Sequence, residues 1–328
     1  MRCRLAWPAS ELETRIVTSA PEAIPEIETA SGRRLDYIVF GLARSGTTGV
    51  TRYLNAVPEI YCGVELFKPS EDHSALYVPE CLINVPDTEA TKAKVRISRE
   101  KLERDGDRIQ AYGNKTPEYF YNLATVLSQL EKKRGIFCYR NIRDVARSYS
   151  TRAQNVNDNW HPGRLGVYVV ADAILLYRAL SRLDQDADIL VVPYNALDED
   201  WQPVMESASR FLLPDVQPTF TDEVVQEAAD RKKIAKSKDQ AALTALEEDA
   251  LSRIDVEGIH QLLNRPEPFR LNQVRGEIKE IVRKMPKAPL KIVREIIDAH
   301  DSAPARDFFR TYKRRSRFAL PQRGTANA

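Results

Sequence analysis

The sequence predicts an α/β protein: a P-loop-like, three-layer fold around a central parallel sheet, with a helical C-terminal extension. Three observations predict it. Short apolar runs alternate with segments of helical period between about residues 35 and 213, the pattern of a parallel sheet covered by helices on both faces. Gly41, Gly46 and Gly49 cluster directly after the first apolar run, in a chain that has only 13 glycines in 328 residues. Beyond Phe220 no strand signal remains, and helical segments rich in Glu, Lys and Arg continue almost to the end.

Each element has its own signal. Residues 1–33 are rich in Pro, Glu and Ala without clear periodicity, which suits a loose N-terminal arm; the α/β core is expected over 34–215. Leu35–Phe40 (LDYIVF) is a short apolar run ending at a glycine, hence a buried strand. A helix from about Gly46 to Ala56 follows, and Glu59–Cys62 reads as a second short strand. Residues 65–113 are polar, contain Pro69, Pro79 and Pro86, and read as an insertion with a helix at its end, an acceptor-side lid. Thr116-Pro117-Glu118 has the order of a helix start, with Thr as N-cap, Pro in the first turn and an acid near the positive end. That helix should run to about Lys132. Strand Gly135–Tyr139, a basic helix over Ile142–Arg152, an apolar helix within Leu165–Leu183, strand Asp188–Pro193 and helix Trp201–Leu212 complete the core. Residues 216–328 read as a helical region with a basic tail.

Composition excludes several classes. Hydrophobic residues make up 43%, and 49 Lys+Arg stand against 47 Asp+Glu, which is not the make-up of a disordered polyelectrolyte. No apolar run approaches the roughly 18 residues of a membrane span, and the N-terminus lacks a signal peptide's apolar core. Cys3, Cys62, Cys81 and Cys138 form no C-x-x-C pair and no Cys/His cluster, so neither a zinc site nor a disulfide framework is expected, and a reducing cytoplasm fits. The net charge of +2 hides an uneven distribution: 132–152 and 306–328 each carry +6, leaving the remainder at −10. Two basic islands in an acidic chain predict that at least one meets an anion. The first lies inside a predicted α/β unit. The tail, and the run Arg231, Lys232, Lys233, Lys236 and Lys238, have the composition of solvated segments, and His161 sits in an expected exposed turn.

The segment Gly41-Leu42-Ala43-Arg44-Ser45-Gly46-Thr47-Thr48 follows a strand and opens a helix. Backbone N–H groups of such a turn converge on one point, and the helix N-terminus adds positive potential, so the turn suits a phosphate. Its spacing is that of the P-loop, with Thr47 in place of the lysine. Neither later strand ends in the Asp that would hold magnesium for nucleoside-triphosphate chemistry. Strand Gly135–Tyr139 runs instead into Arg140, and Ser148 follows two turns into the next helix. An Arg binds phosphate bidentately and a serine hydroxyl completes its shell. Two such elements in order, each at the C-terminal end of a parallel strand, are more specific than either alone.

At these residues the chain resembles the sulfotransferases that use 3′-phosphoadenosine 5′-phosphosulfate (PAPS). In that family a strand–loop–helix segment of the form R-S-G-T-T, here Arg44 to Thr48, binds the 5′-phosphosulfate, and an R-x7-S segment, matched by Arg140 and Ser148, binds the 3′-phosphate. The resemblance spans about Leu35 to Leu213. Arg44–Thr48 followed by Cys62-Gly63-Val64-Glu65 is most similar to the tyrosylprotein and RSGTT-type carbohydrate branches; the cytosolic branch has Lys at the Arg44 position and a histidine base. Asn114-Lys115-Thr116-Pro117 resembles the N-K-x-P segment of the tyrosylprotein branch, and Tyr194, just after a strand, matches a tyrosine that contacts the adenine.

The resemblance implies an enzyme that moves a sulfuryl group in line from PAPS to an acceptor hydroxyl, with no metal. Glu65 matches the catalytic base, with one departure: where the family member compared has two adjacent acids, this chain has Val64 and Glu65. Arg44 and Lys115 would stabilise charge on the sulfuryl and leaving oxygens, and Thr47 and Thr48 would bind phosphate through hydroxyl and amide groups. The implied partners are the nucleotide co-substrate and a saccharide or glycolipid acceptor, with a peptide tyrosine as the alternative. Neither nucleic acid nor an integral membrane segment is expected; the location is cytoplasmic, peripheral to a membrane at most. Two readings come from other classes. A P-loop kinase is opposed by Thr47 and the missing magnesium Asp, and a non-catalytic nucleotide-binding module by the presence of Glu65 and Lys115.

Overall fold

Alternation along one strand sets the layers. In β1 (Tyr37–Gly41), Tyr37 and Val39 point to one side of the sheet and Ile38 and Phe40 to the other, and all four are fully buried, so both faces must be covered. The computed structural model describes residues 33–71, 73, 77–78, 89–157, 160–221, 224–226, 229 and 242–316. Residues 1–32 of the expected arm, part of the expected lid (72, 74–76 and 79–88), the basic run 231–238 and the tail beyond 316 lie outside the described residues.

In the main sheet the strands after β1 are β2 (Ile60–Val64), β3 (Ala111–Lys115), β4 (Arg134–Tyr139), β5 (Asp188–Pro193) and β6 (Phe269–Arg270), while Arg33–Arg34 and Tyr77–Val78 form a separate antiparallel pair. The strands of the main sheet pair in the order β2-β3-β1-β4-β5-β6; the first five are parallel, and β6 is antiparallel to β5. The helices are α1 (Thr47–Ala56), α2 (Glu89–Asp105), α3 (Leu123–Gln129), α4 (Ile142–Gln154), α5 (Val167–Ser181), α6 (Tyr194–Glu199) and α7 (Trp201–Leu212). The C-terminal region adds α8 (Ala245–Leu251), α9 (Val256–Leu263), α10 (Arg275–Lys284), α11 (Pro289–Ala299) and α12 (Ala303–Ser316). Val50 and Leu54 of α1 and Val204, Met205 and Ala208 of α7 cover the Tyr37/Val39 face, while α5 belongs to the core on the Ile38/Phe40 face.

Helix α5 is buried around its whole circumference: every residue from Val167 to Tyr177 is covered, and all but Asp172 are hydrophobic. It packs against both α10 and α11, so the C-terminal helices act as a further layer over the three-layer core. The α/β class, the parallel arrangement and the helical extension therefore agree with the expectation. Three details differ. Residues 111–115 are a strand next to β1, although AYGNK has no apolar alternation; Gly113 is small because a Cβ there would collide with the Tyr37 ring, and Asn114 and Lys115 serve polar contacts described below. The segment read as ending an insertion at 113 thus enters the sheet. Thr116 does not cap the helix after it: its hydroxyl donates to the Phe67 carbonyl at 2.9 Å, and Pro117–Asn122 forms a 3-10 turn before α3, which ends at Gln129. Strand β6 lies beyond Phe220, where no strand is expected; two residues are too few for a periodic signal.

One buried charge ties the layers together. Asp172, in the middle of α5, accepts hydrogen bonds from the hydroxyls of Tyr121 (2.8 Å), Tyr312 of α12 (2.8 Å) and Tyr149 of α4 (3.4 Å). Burial raises its pKa to about 6, against the partial relief given by Arg164 and these phenols. The folded protein therefore binds this proton more tightly than the unfolded chain, so Asp172's favourable contribution is greatest below about pH 4 and is lost as pH rises through about 6. Chemical denaturation across this range should show the stability of the native protein falling relative to Asp172→Asn by about 3 kcal/mol as pH rises. A difference independent of pH would show that Asp172 titrates like an exposed carboxylate.

Candidate functional site

The loop leaving β1 is forced into unusual backbone. Arg44 has φ +72° and Gly46 φ +91°, both in the left-handed region. At Gly46 a side chain is excluded twice, by its φ and by the Tyr194 ring, whose Cδ2 would lie 2.5 Å from a Cβ. Arg44 adopts its conformation without being glycine, a strain of about 1–3 kcal/mol of the kind that clusters at functional sites. The loop runs into the first turn of α1, where the N–H groups of Thr47 and Thr48 have no helical acceptor and the helix dipole is positive. Beside them the Ser45 hydroxyl is buried with no hydrogen-bond partner among the described residues.

Strand β4 delivers the second group. Asn141 caps α4, its side chain accepting from the Arg143 N–H at 2.9 Å, which fixes the turn at Arg140. Arg140 donates to the Arg44 carbonyl at 3.1 Å, and its guanidinium lies over the Tyr194 ring, 4.5 Å from the centroid, with Nε buried and unpartnered among the described residues. Arg44 Nε donates to the Ser148 hydroxyl at 3.1 Å. Arg44, Gly46, Arg140, Ser148 and Tyr194 thus meet across the C-terminal ends of β1, β4 and β5. After β1 the chain crosses to β2 on one side, and after β4 to β5 on the other, so this is the crevice at which strand order reverses.

The third group comes from the other neighbour of β1. Strands β2 and β3 pair in register with Val64 opposite Lys115. Three consecutive residues of the β3 end then hold three consecutive residues after β2. Asn114 Oδ1 accepts from the Leu66 N–H at 3.2 Å; Lys115 accepts the Glu65 N–H at 2.6 Å through its carbonyl; Thr116 donates to Phe67 as described. The Lys115 ammonium, 1% exposed as a residue, donates to Glu65 Oε1 at 2.7 Å. Glu65 has φ +52°, a second left-handed residue that is not glycine. The nearby Cys62 thiol is pushed up to about 11 by burial, so it is no thiolate nucleophile at neutral pH.

A cavity of about 420 Å³ joins the first and third groups: Arg44, Thr47, Thr48, Glu65 and Lys115 all line it. Its far wall was not signalled by the sequence. Arg164 there pairs with Glu118 at 2.8 Å and lies 4.3 Å from the Trp160 ring centroid, while Arg152 lies 4.9 Å from that ring on its other contact. Burial opposes the Arg164 charge, but Tyr149, Glu118 and Asp172 hold it protonated more firmly than a free arginine. His161 is structural: its Nδ1 accepts the Gly163 N–H at 3.0 Å and its ring packs on Phe308. Among the described residues no group of three or more His, Cys, Asp or Glu side chains is placed to hold a metal, and no helix is long and apolar enough to cross a membrane.

Residues 37–218 match the model of a protein family described as the sulfotransferase family. No curated protein matches the chain. Among solved structures, the sulfotransferase domain of the Synechococcus PCC 7002 olefin synthase is 18% identical over 67% of this chain and 93% of that one, with a TM-score of 0.37. The sulfotransferase domain of the curacin biosynthetic pathway is 17% identical over 83% of this chain and 99% of its own, with a TM-score of 0.38. A sulfotransferase from Mycobacterium tuberculosis is 17% identical over 60% and 71%, with a TM-score of 0.37.

Asn114 is the pivot of the Glu65 support, since its amide also reaches Tyr119 and Thr116. Asn114→Ala would leave the half-buried Leu66 N–H without its acceptor and remove one of two partners of the Tyr119 hydroxyl, the other being His73 at 3.3 Å, and should lower stability by about 2–3 kcal/mol in urea titration. A loss under about 1 kcal/mol would mean that the loop holds its shape by other contacts.

Proposed function

Because this chain belongs to the sulfotransferase family, we propose that it transfers the sulfuryl group of PAPS to an acceptor hydroxyl, with Glu65 as the base that takes the hydroxyl proton. The observation that carries the reading is the double engagement of Arg44: it bonds to Ser148 in the crevice and lines the cavity that holds Glu65 and Lys115. One residue thereby links an anion-binding cluster to an acid–base pair, as transfer between two substrates requires.

The residues suit the donor. Buried polar groups without a protein partner, Ser45 Oγ and Arg140 Nε, stand beside the first-turn amides of α1, a donor set for phosphate oxygens. Arg44, Ser45, Gly46, Thr47 and Thr48 would hold the 5′-phosphosulfate, Arg140 and Ser148 the 3′-phosphate, and Tyr194 the adenine. When bound, PAPS supplies an electrophilic sulfuryl group on a phosphate leaving group. Glu65 binds and orients the acceptor hydroxyl and accepts its proton. Negative charge entering beside Arg44 competes for the Lys115 ammonium, which is bonded to Glu65, and leaves that carboxylate to take the proton. Lys115 then stabilises the oxygen on which charge develops. The rest of the cavity, with the Trp160 ring on its wall, receives the acceptor, for which we favour a saccharide or glycolipid hydroxyl.

Transfer of labelled sulfate from PAPS onto a panel of glycans, glycolipids and tyrosine peptides tests the reading. Product on a glycan or glycolipid is expected; product on peptides alone would replace the acceptor assignment, and no product together with no nucleotide binding would remove the function. Glu65→Gln should cut turnover by about 10²–10⁴-fold with nucleotide affinity nearly intact; unchanged turnover would take Glu65 out of the mechanism. Arg140→Ala should weaken nucleotide binding by roughly 1.5–3 kcal/mol, and calorimetry should show that the loss disappears for a nucleotide lacking the 3′-phosphate.

A further inference from the structure

The second basic island is not used by the site above, yet the fold gathers its described part, residues 306–316. Helices α11 and α12 are joined by a tight turn at Asp301, whose φ is +47°, and a cleft of about 270 Å³ opens between them. Ile297 and Phe309 line it together with four cations, Arg294 from α11 and Arg306, Arg310 and Lys313 from α12, against a single acid, Asp298. The three α12 cations fall at i, i+4 and i+7 and so share one face, opposite the face of Phe308 and Tyr312 that packs into the core. Asp298 and Asp301 are taken by Arg294 and Arg306. Arg310 and Lys313 have no acidic partner among the described residues, and the exposed Arg314 and Arg315 extend the same charge.

Like charges held this close repel, and nothing in the packing of α12 requires them, because its core contacts are made by Ala305, Phe308 and Tyr312. The charge is also segregated, since the chain outside its two basic islands is net negative. A surface of this kind faces anions presented together rather than one by one. The cations ring a cleft whose apolar lining, Ile297 and Phe309, lies inside it, which suits electrostatic adsorption to a charged surface.

We propose that the α11–α12 cleft and the basic face of α12 dock this protein onto an anionic lipid surface, with lipid phosphate groups seated against Arg310 and Lys313. The docking helix backs the Trp160–Arg164 wall of the cavity: Phe308 packs on His161, and a Cβ on Gly163 would collide with the Pro304 carbonyl. The proposal does not rest on the sulfotransferase chemistry, because its readout is membrane partition.

The full chain should co-sediment with phosphatidylcholine vesicles containing about one-third phosphatidylserine at low ionic strength, not with phosphatidylcholine alone, and added salt should release it. The double variant Arg310→Glu/Lys313→Glu should lower the partition coefficient roughly thirtyfold or more, with thermal melting and nucleotide binding unchanged. Should that variant fail to fold, Arg310→Gln/Lys313→Gln reads the same contacts with a smaller loss. Partition equal for native and variant protein would overturn the proposal, as would absence of binding to the anionic vesicles. Saturable binding of inorganic phosphate, or of a DNA duplex, without vesicle binding would likewise overturn it in favour of another anion.

Discussion

The Asn114–Thr116 grip on Glu65–Phe67 is the constraint on which the Glu65 side of the cavity depends. It exists because β3 lies between β1 and β2 in a register that places Lys115 opposite Val64. An ammonium as buried as that of Lys115 is costly without a counter-charge, and Glu65 supplies one at 2.7 Å. In return the bonds from Asn114 and Lys115 hold Glu65 in a left-handed conformation that a glutamate would otherwise avoid. The carboxylate's position is thus set by the sheet and not by the polar segment that follows it.

The other half of the site follows from topology. Strand β1 is the centre of the sheet, and the chain leaves β1 and β4 in opposite directions, so a crevice opens between them without any insertion having to be excavated. Arg44 and Arg140 meet there, through the Arg44 carbonyl, and Ser148 accepts from Arg44. Two guanidinium groups and a helix N-terminus are thereby brought to one place, which concentrates positive potential there and suits the crevice to an anion.

What could be read from the chain follows how local each signal is. Strands β1, β4 and β5 are short apolar runs closed by Gly, Arg or Tyr, and α7 is amphipathic from end to end, so their placement needs only neighbouring residues. The P-loop-like spacing of Gly41 and Gly46 and the Arg140 to Ser148 interval are equally local, and the structure brings all of these residues into one crevice. Strand β3 was not legible, because its polar residues serve partners 48 to 50 positions away and its glycine serves Tyr37. The cavity wall was hidden for the same reason: Arg164 earns its burial from Glu118, and nothing adjacent in sequence announces the pair. Thr116 had the right identity for a cap, and a tertiary acceptor, the Phe67 carbonyl, outcompeted the local amide.

Helix α5 bears on how the protein comes into being. One flank of it stays wet until α10 and α11 arrive, and each large aliphatic side chain there withholds about 1.5–3 kcal/mol until it is covered. On a ribosome working at about 5–20 residues per second, roughly 5–20 s separates synthesis of β5 from that of α11. During that interval the nascent chain displays an apolar ridge on the α5 side of the five parallel strands. The family match spans residues 37–218 and stops short of α10 and α11, so a fragment cut at that boundary would leave this ridge facing water.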